Sequence, residues 1–496
     1  MIKKSVSISL TVILLSGCTM IPDYLTPGFS AAPKWSDVPG YELPAGEKAV
    51  SDLDWKEYFD TSELWLVIGT ALQNNKDLEQ AALSIDEARA LYRVSRADLI
   101  PNINARGTGN ITKTSDDSSG QGHARKSELY EANVGLASYE LDLFGRIRSN
   151  NQSAINEYLA SEQAYDVVRN ALIAETANAY LQLLADQKLL KLTEKTLKAQ
   201  QQTYDLLSQS LDKGVATEQD VSRASTAVET ARVNLHQYAR FVAQDKNALF
   251  LLMGIPQDEE FLPKTTLDDI QIADNLATGL PSQALLARPD VKQAEYNLLA
   301  RNADIGAARA AFFPSISLTG AYGFASDDLS SLFTSGAAGA WAFLPQITLP
   351  IFQGGRNTAN LDLAEIRKEK AILNYEQAIQ TAFREVSDEL AARATLDAQL
   401  KAQRRLVASA QKVYDISNAR YRSGIDSFLS VLDSQRELYE FEQNEIVTQR
   451  QYLANLVNLY KVLGGGLNEE SVLSVPESKS KGLAQNENET MSQMDQ

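Results

Sequence analysis

Two hydrophobic rhythms divide this chain. Apolar residues recur every seven positions at Leu183, Leu190, Leu197, Tyr204 and Leu211, and again at Val221, Val228, Leu235, Val242 and Leu249. The rhythm returns at Leu400, Val407, Tyr414 and Tyr421, then at Val431, Leu438, Tyr452 and Leu459, with Glu445 as its one break. Heptads kept over several turns predict helices packed as left-handed coiled coils. The first such segment, residues 146–212, would extend roughly 100 Å, far beyond an ordinary globular helix. Gly214 and Gly424 are placed to end these helices in the left-handed conformation. Lys213 and Arg422, just before them, suit the negative helix end. Thr217 and Ser427 are candidate N-caps of the returning helices. Each half is thus expected to hold a long helical hairpin, with its tip at 211–220 or 421–430.

Four other segments alternate with period two. In 102–111, Ile103, Ala105, Gly107, Gly109 and Ile111 alternate with Asn102, Asn104, Arg106, Thr108 and Asn110. In 315–324, Ile316, Leu318, Gly320, Tyr322 and Phe324 alternate with small and hydroxyl residues. Residues 130–141 place Tyr130, Ala132, Val134 and Leu136 on one face, and 341–351 place Trp341, Phe343, Ile347, Leu349 and Ile351 on one face. Each segment has the length of a tilted membrane strand, about 9–11 residues. Two soluble hairpins with one wet face are the plainer alternative. The polar loops 112–128 and 325–339, long and on one side only, favour an outer-membrane barrel. Four strands cannot close a barrel, and an open sheet edge cannot sit in lipid, so the chain must oligomerise. Two copies would make eight strands with little lumen; three would make twelve with a channel.

The chain also repeats itself. Pro101, Ile103 and Gly107 match Pro314, Ile316 and Gly320 at an offset of 213, while Gly214, Val221 and Gly254 match Gly424, Val431 and Gly464 at an offset of 210. A period this long means two structural halves, not a solenoid of many units.

Composition narrows the class. The 496 residues carry 47 Lys plus Arg against 64 Asp plus Glu, a net charge of −17, which excludes nucleic acid as a natural partner. One cysteine forbids an internal disulfide, and two histidines, His123 and His236, leave no soft-ligand metal site and no catalytic triad to argue for. FQGGRN (352–357) and LGGGL (463–467) lack the Gly-Lys-Ser/Thr of a phosphate loop and read as a helix–strand junction and a helix C-cap. Neither an enzyme nor a cofactor is expected. At the start, Lys3 and Lys4 precede a short apolar run, Val6 to Leu15, as in a secretory signal too short to span a membrane. Leu15-Ser16-Gly17-Cys18 resembles a lipobox, in which the chain is cut before the cysteine and lipid is attached to it. Thr19 after it resembles an outer-membrane address. No later run of 18 apolar residues offers a spanning helix.

Taken with the lipobox and the paired proline segments, ELDLFGRIRS (140–149), LPIFQGGRN (349–357), YRSGIDSFLSVLDSQRELY (421–439) and NLYKVLGGG (458–466) resemble the TolC-like outer membrane factors, lipoprotein branch. These are outer-membrane components of tripartite efflux pumps of the RND type, and the resemblance covers nearly all of 50–466. It implies a mixed α and β membrane protein in which four strands per chain complete a trimeric twelve-stranded outer-membrane barrel. A long α-helical coiled-coil periplasmic tunnel continues that barrel. The partners it implies are two further copies, a periplasmic adaptor, an inner-membrane RND transporter and outer-membrane lipid. The expected division is a signal over 1–17, a lipid-anchored extension over 18–60, periplasmic helices over 61–100 and strands 1 and 2 over 101–141. A helical hairpin over 142–254, an equatorial segment over 255–285 and a periplasmic helix over 286–313 follow. Strands 3 and 4 occupy 314–351, a second hairpin 352–466 and a disordered tail 467–496.

By position, the resemblance makes Ile425, Leu429 and Asp433 gate residues of the periplasmic end and Asp220 a polar residue of the matching mouth. Their spacing of i, i+4, i+8 puts the first three on one helix face. Threefold symmetry would turn Leu429 into a dewetting ring and Asp433 into a ring that repels anions. The competing assignment packs Leu429 into the hairpin core and leaves Asp433 in solvent. Asp426 is expected to be merely solvated beside the cap. Lys213, Gly214, Arg422 and Gly424 are the expected adaptor-contacting tip. The function implied is a passive exit duct for drugs or other small molecules, gated at the tip. A duct for type I protein secretion and a passive porin are the alternatives; the long helices count against a porin, whose mass lies in its barrel.

Overall fold

The computed structural model describes residues 19–25, 27, 50, 53–113, 126–258, 261–273, 285–333 and 338–466. Cys18, His123, most of the loop 112–128 and the tail 467–496 lie outside the described residues. Helices α1 (Trp55–Tyr58), α2 (Ser62–Asn74) and α3 (Lys76–Ala97) precede strands β1 (Ile103–Lys113) and β2 (Lys126–Leu141). Helices α4 (Arg146–Asp212) and α5 (Glu218–Met253) follow, then α6 (Pro289–Ala310), β3 (Ser315–Ser326), β4 (Ala338–Thr348), α7 (Arg356–Arg422) and α8 (Phe428–Val462). The order helix, strand, strand, long helix, shorter helix thus occurs twice, and α4 and α7 each have 67 residues. No described helix is long and apolar enough to cross a membrane. The chain forms two compact units, one of residues 1–28, 85–161 and 294–375, the other of 29–84, 162–293 and 376–496.

The first unit contains the sheet, an antiparallel meander in the order β1-β2-β3-β4. Its register sorts the side chains by face. Asn104, Arg106 and Thr108 of β1 lie opposite Gly135, Asn133 and Glu131 of β2, and these lead on to Ala321, Gly323 and Ala325 of β3. The other face carries Ile103, Val134, Leu136, Tyr322 and Phe324, then Trp341, Phe343 and Ile347 of β4. Gly135 and Gly323 leave no room for a Cβ, which would stand 2.1 Å from a carbonyl oxygen of the neighbouring strand. Strand β4 begins and ends three residues before the expected 341–351, so Leu349 and Ile351 fall outside it. Pro350 lacks the N–H that would extend the ladder, while Pro345 is tolerated because β4 is an edge strand. In β2 the ladder slips between Leu136 and Tyr139, where Ser138 adopts φ 47°. This bulge inserts one residue and keeps Tyr139 and Leu141 on the apolar face and Glu140 on the polar one.

The second unit is built around one apolar core. Tyr58, Phe59, Leu64, Ile68, Tyr180, Leu183, Leu249, Leu459 and Tyr460 are almost fully buried in it. The rings of Tyr58 and Tyr460 meet at 4.8 Å, and Tyr58 Oη donates to the Leu456 carbonyl at 2.7 Å. Burial of each such side chain contributes about 1.5–3 kcal/mol. The segment after α5 is clamped by Glu63, which accepts from Lys264 N, Thr265 N, Thr265 Oγ1 and Tyr180 Oη at 3.0–3.2 Å. Burial pushes the Glu63 carboxyl up, but these four donors outweigh it and hold it below the usual carboxylate range.

The seam of α4 departs from the heptad expected of it. Leu183 of that rhythm is buried in the core, but from residue 186 to the end of α4 the buried positions are Asp186, Leu189, Thr193, Thr196, Gln200 and Leu207. Leu190, Leu197, Tyr204 and Leu211 are only half-buried, one residue round from that seam. Apolarity alone misplaced it because hydroxyl and amide side chains occupy the inner line. Thr193 finds a partner there, its Oγ1 lying 2.7 Å from Tyr439 Oη, and on the facing helices Gln443 donates to Tyr238 Oη at 2.9 Å. In α5 and α8 the expected rhythm is the buried one, at Val228, Val242 and Leu249 and at Val431, Leu438 and Leu459.

Candidate channel wall and helical tip

Both hairpin tips use one backbone device. Gly214, at φ 72°, donates its N–H to Leu211 O at 2.8 Å, and Val215 N donates to Ser210 O at 2.9 Å. Gly424, at φ 71°, donates to Tyr421 O at 2.9 Å, and Ile425 N donates to Arg420 O at 3.0 Å. Each is a Schellman closure, in which a left-handed glycine lets two successive N–H groups satisfy the last carbonyls of the helix. The side chains then diverge. Thr217 caps α5 in a capping box: its Oγ1 accepts from Asp220 N at 3.2 Å and donates to Asp220 Oδ2 at 2.6 Å. Asp220 is thereby committed to the helix start. Ser427 occupies the N-cap of α8 but makes no side-chain cap hydrogen bond, so the expected equivalence of the two caps holds in position and not in chemistry.

Asp426 corrects an expectation. It is not merely solvated, because Arg420 forks onto it, Nε to Oδ2 at 2.5 Å and Nη2 to Oδ1 at 3.0 Å. That guanidinium holds the Asp426 carboxyl below the usual carboxylate range. Arg420 was not singled out from the sequence; a basic residue in the last turn followed six positions later by an acid beyond the turn glycine was the available signal. The pair ties the end of α7 across the turn to the start of α8.

The tip core consists of Leu207, Ala224, Phe428 and Val431, with Tyr421 edge-on to Phe428 at 5.6 Å. Leu429 is outside this cluster, 39% exposed, and Ile425 is 63% exposed. Asp433 is half-exposed and pairs with Arg436 at 3.2 Å. Leu429 and Asp433 therefore line a face of α8 that the hairpin core leaves uncovered, whereas Ile425 lies in the turn before the N-cap Ser427 and not on the helix face expected for it, because the Gly424 closure takes its backbone N–H. Lys213, Gly214, Arg422 and Gly424 are all exposed at the two turns.

The sheet supplies the other half of the geometry. Its polar face forms a hollow lined by Asn104, Arg106, Thr108, Glu131, Asn133 and Thr319. Its apolar face leaves Trp341 76% exposed and also exposes Ile103, Tyr322, Phe343 and Ile347. An apolar surface with an aromatic band fits hydrocarbon and not water. Leu129 and Leu344 are large apolar exceptions on the polar face.

The Outer membrane efflux protein family model matches residues 67–255 and 280–465. The chain is 46% identical over 472 residues to a Pseudomonas putida protein named probable efflux pump outer membrane protein TtgC, covering 95% of this chain and 97% of that one. It is 42% identical over 475 residues to outer membrane protein OprJ of Pseudomonas aeruginosa, with the same coverage. The solved open state of the Neisseria gonorrhoeae MtrE outer membrane channel superposes with a TM-score of 0.82 at 37% identity, covering 91% of this chain and 99% of that one. The chain belongs to the outer membrane efflux protein family and is an outer-membrane exit duct for efflux, not an enzyme.

Proposed function

We propose that three copies of this chain close a twelve-stranded barrel and that the duct takes its cargo from a periplasmic adaptor and an inner-membrane transporter of the RND type. The carrying observation is a four-stranded sheet with one polar face, one aromatic-rich apolar face and two open edges, β1 and β4. Open edges are untenable in lipid, and three such sheets joined edge to edge give a barrel with a wet bore. Lipid on Cys18 would add a second attachment to the membrane. The relatives named for toluene, solvent and antibiotic efflux support small apolar or amphiphilic molecules as cargo.

The uncovered face of α8 supports the gate reading. Threefold repetition would set Leu429 as an apolar constriction and Asp433 one turn beyond it. Arg436 beside Asp433 means that the ring acts as carboxylate–guanidinium pairs and not as bare anions. Asp220, engaged with Thr217, would act at the mouth mainly by holding the helix start. The exposed turns at Lys213, Gly214, Arg422 and Gly424 are then the surface offered to the adaptor. The test is conductance in planar bilayers. Leu429→Ala and Asp433→Ala should each raise it, and unchanged conductance in both would remove these residues from the gate.

A further inference from the structure

The residues directly after Cys18 are seated on helix α6. Ile21 lies over Gly306, where a Cβ would come within 2.6 Å of Ile21 Cγ1, 2.6 Å of Ser149 Oγ on α4 and 2.9 Å of Ile21 N. Four residues before Gly306 on the helix, Asn302 is 3% exposed and donates Nδ2 to the Pro22 carbonyl at 2.9 Å. Seven residues before that, Glu295 accepts from Tyr24 Oη at 3.4 Å. Positions 295, 302 and 306 share one face of the helix. Residues 21–24 thus run antiparallel to α6, and the chain toward Cys18 leaves at the C-terminal end of that helix. That end leads through Phe312, Phe313 and Pro314 into β3, and Phe313 stacks on Phe144 at 4.7 Å. Cys18 lies three positions before Ile21, a reach of about 10 Å at most. Gly306 lies only about 6 Å of helix rise from Ala310.

We propose that this face of α6 is a seat for the anchor strap, with Gly306 and Asn302 as positioning residues. They fix the register of residues 19–24, so that acyl chains on Cys18 enter the membrane beside the start of β3. The proposal rests on the reading of Cys18 as a lipidated residue. A loose tether would confine the chain only to the neighbourhood of the membrane. A seated strap holds the sheet-bearing unit at one height against the bilayer, which favours meeting of the open edges of three chains at the same depth. Strap and α4 together leave no room for a side chain at the notch of position 306, and Asn302 reads the backbone of the strap and not its sequence.

The test uses the full-length protein, with membrane-inserted trimer as the readout. Gly306→Val fills the notch. Ile21→Gly with Tyr24→Ala loosens the strap from its own side and leaves every helix residue unchanged. Both should lower inserted trimer about tenfold while the N-terminal peptide still carries its acyl groups by mass spectrometry. The same substitutions are then made in a Cys18→Ser protein exported on a leader that needs no cysteine. There they should change the yield of trimer by less than twofold. An equal loss in both backgrounds would mean a merely structural contact, and no loss in either would mean that the strap positions nothing; each overturns the proposal. An unacylated wild-type peptide would instead overturn the lipid reading, and the role of the seat with it.

Discussion

Adjacent residues of α8 face opposite demands. Phe428 is buried in the tip core beside Leu207 and Tyr421, and Leu429 stands outside it. Phe428→Ala should therefore lower the stability of the detergent-solubilised protein by about 3 kcal/mol, read as a fall in the urea midpoint. Leu429→Ala should shift that midpoint by no more than about 0.5 kcal/mol, leaving its effect to conductance. The two caps provide a second contrast. Thr217→Ala removes a capping-box acceptor and should cost about 1 kcal/mol, whereas Ser427→Ala removes no side-chain cap bond and should be near neutral. Hydrogen exchange of the amides of Asp220 and Ser430 reads each cap directly. The tip was legible in the sequence where spacing decides it: the glycines, the cap positions and the spacing of Leu429 and Asp433, but not Ile425, which the turn removes from the helix. The partnership of Asp426 with Arg420 was not, because a turn brings together residues whose separation matches no helical or strand period; that of Asp220 with Thr217 has the i, i+3 spacing of a capping box and was open to reading.

The elements were legible to different depths. Long helices and strands announce themselves by period, and α4 ends where Gly214 demands. The bulge in β2 has no period, since one inserted residue only exchanges the faces beyond it. Deleting Ser138 should restore a regular ladder in which Tyr139 still faces Leu318 and Glu140 still faces Ser317, so that the Glu140–Arg146 ion pair at 2.7 Å survives. Normal protease protection of β2 in reconstituted protein would register that regular ladder; loss of protection would contradict the reading of Ser138 as one inserted residue. The seam of α4 was misjudged because the chain buries Thr193, Thr196 and Gln200 there. The same polar interior holds two facing carboxyl groups, Asp186 on α4 and Asp245 on α5. Burial first, and then the Asp186 carboxylate that shares its proton, push Asp245 up to about 7. Gln182 donates to Asp186 at 2.7 Å, and Tyr238 is the other titratable group facing it. The native state therefore retains a proton between about pH 4 and 7 that the unfolded chain has lost. Stability should be greatest at the acidic end of that window, fall as pH rises through it, and level off above 7. Asp245→Asn should flatten that slope in thermal unfolding curves measured across the window.

At the scale of the whole molecule the sheet cannot be finished by one chain. Strand β2 hydrogen-bonds β1 and β3, and β3 hydrogen-bonds β4, but the outer edges of β1 and β4 present unpaired N–H and C=O groups. In hydrocarbon each such group costs several kcal/mol, so an inserted monomer is strongly disfavoured, as the proposed closed trimer would not be. On that proposal barrel folding and oligomerisation would be one event, and stability would depend on chain concentration. Side chains on the two faces test the orientation. Trp341→Arg, on the apolar face, should weaken insertion by about 2–4 kcal/mol if it lies near the midplane. Thr319→Arg, on the polar face, should insert normally and shift the bore toward anions. The coupling itself can be followed during refolding into liposomes. Protease protection of the sheet and crosslinking of three chains should rise with one time constant, and both should slow as protein is diluted. A protected species that crosslinks only as a monomer would mean that one chain can satisfy its own edges, and the argument from four strands to three subunits would fail at its first step.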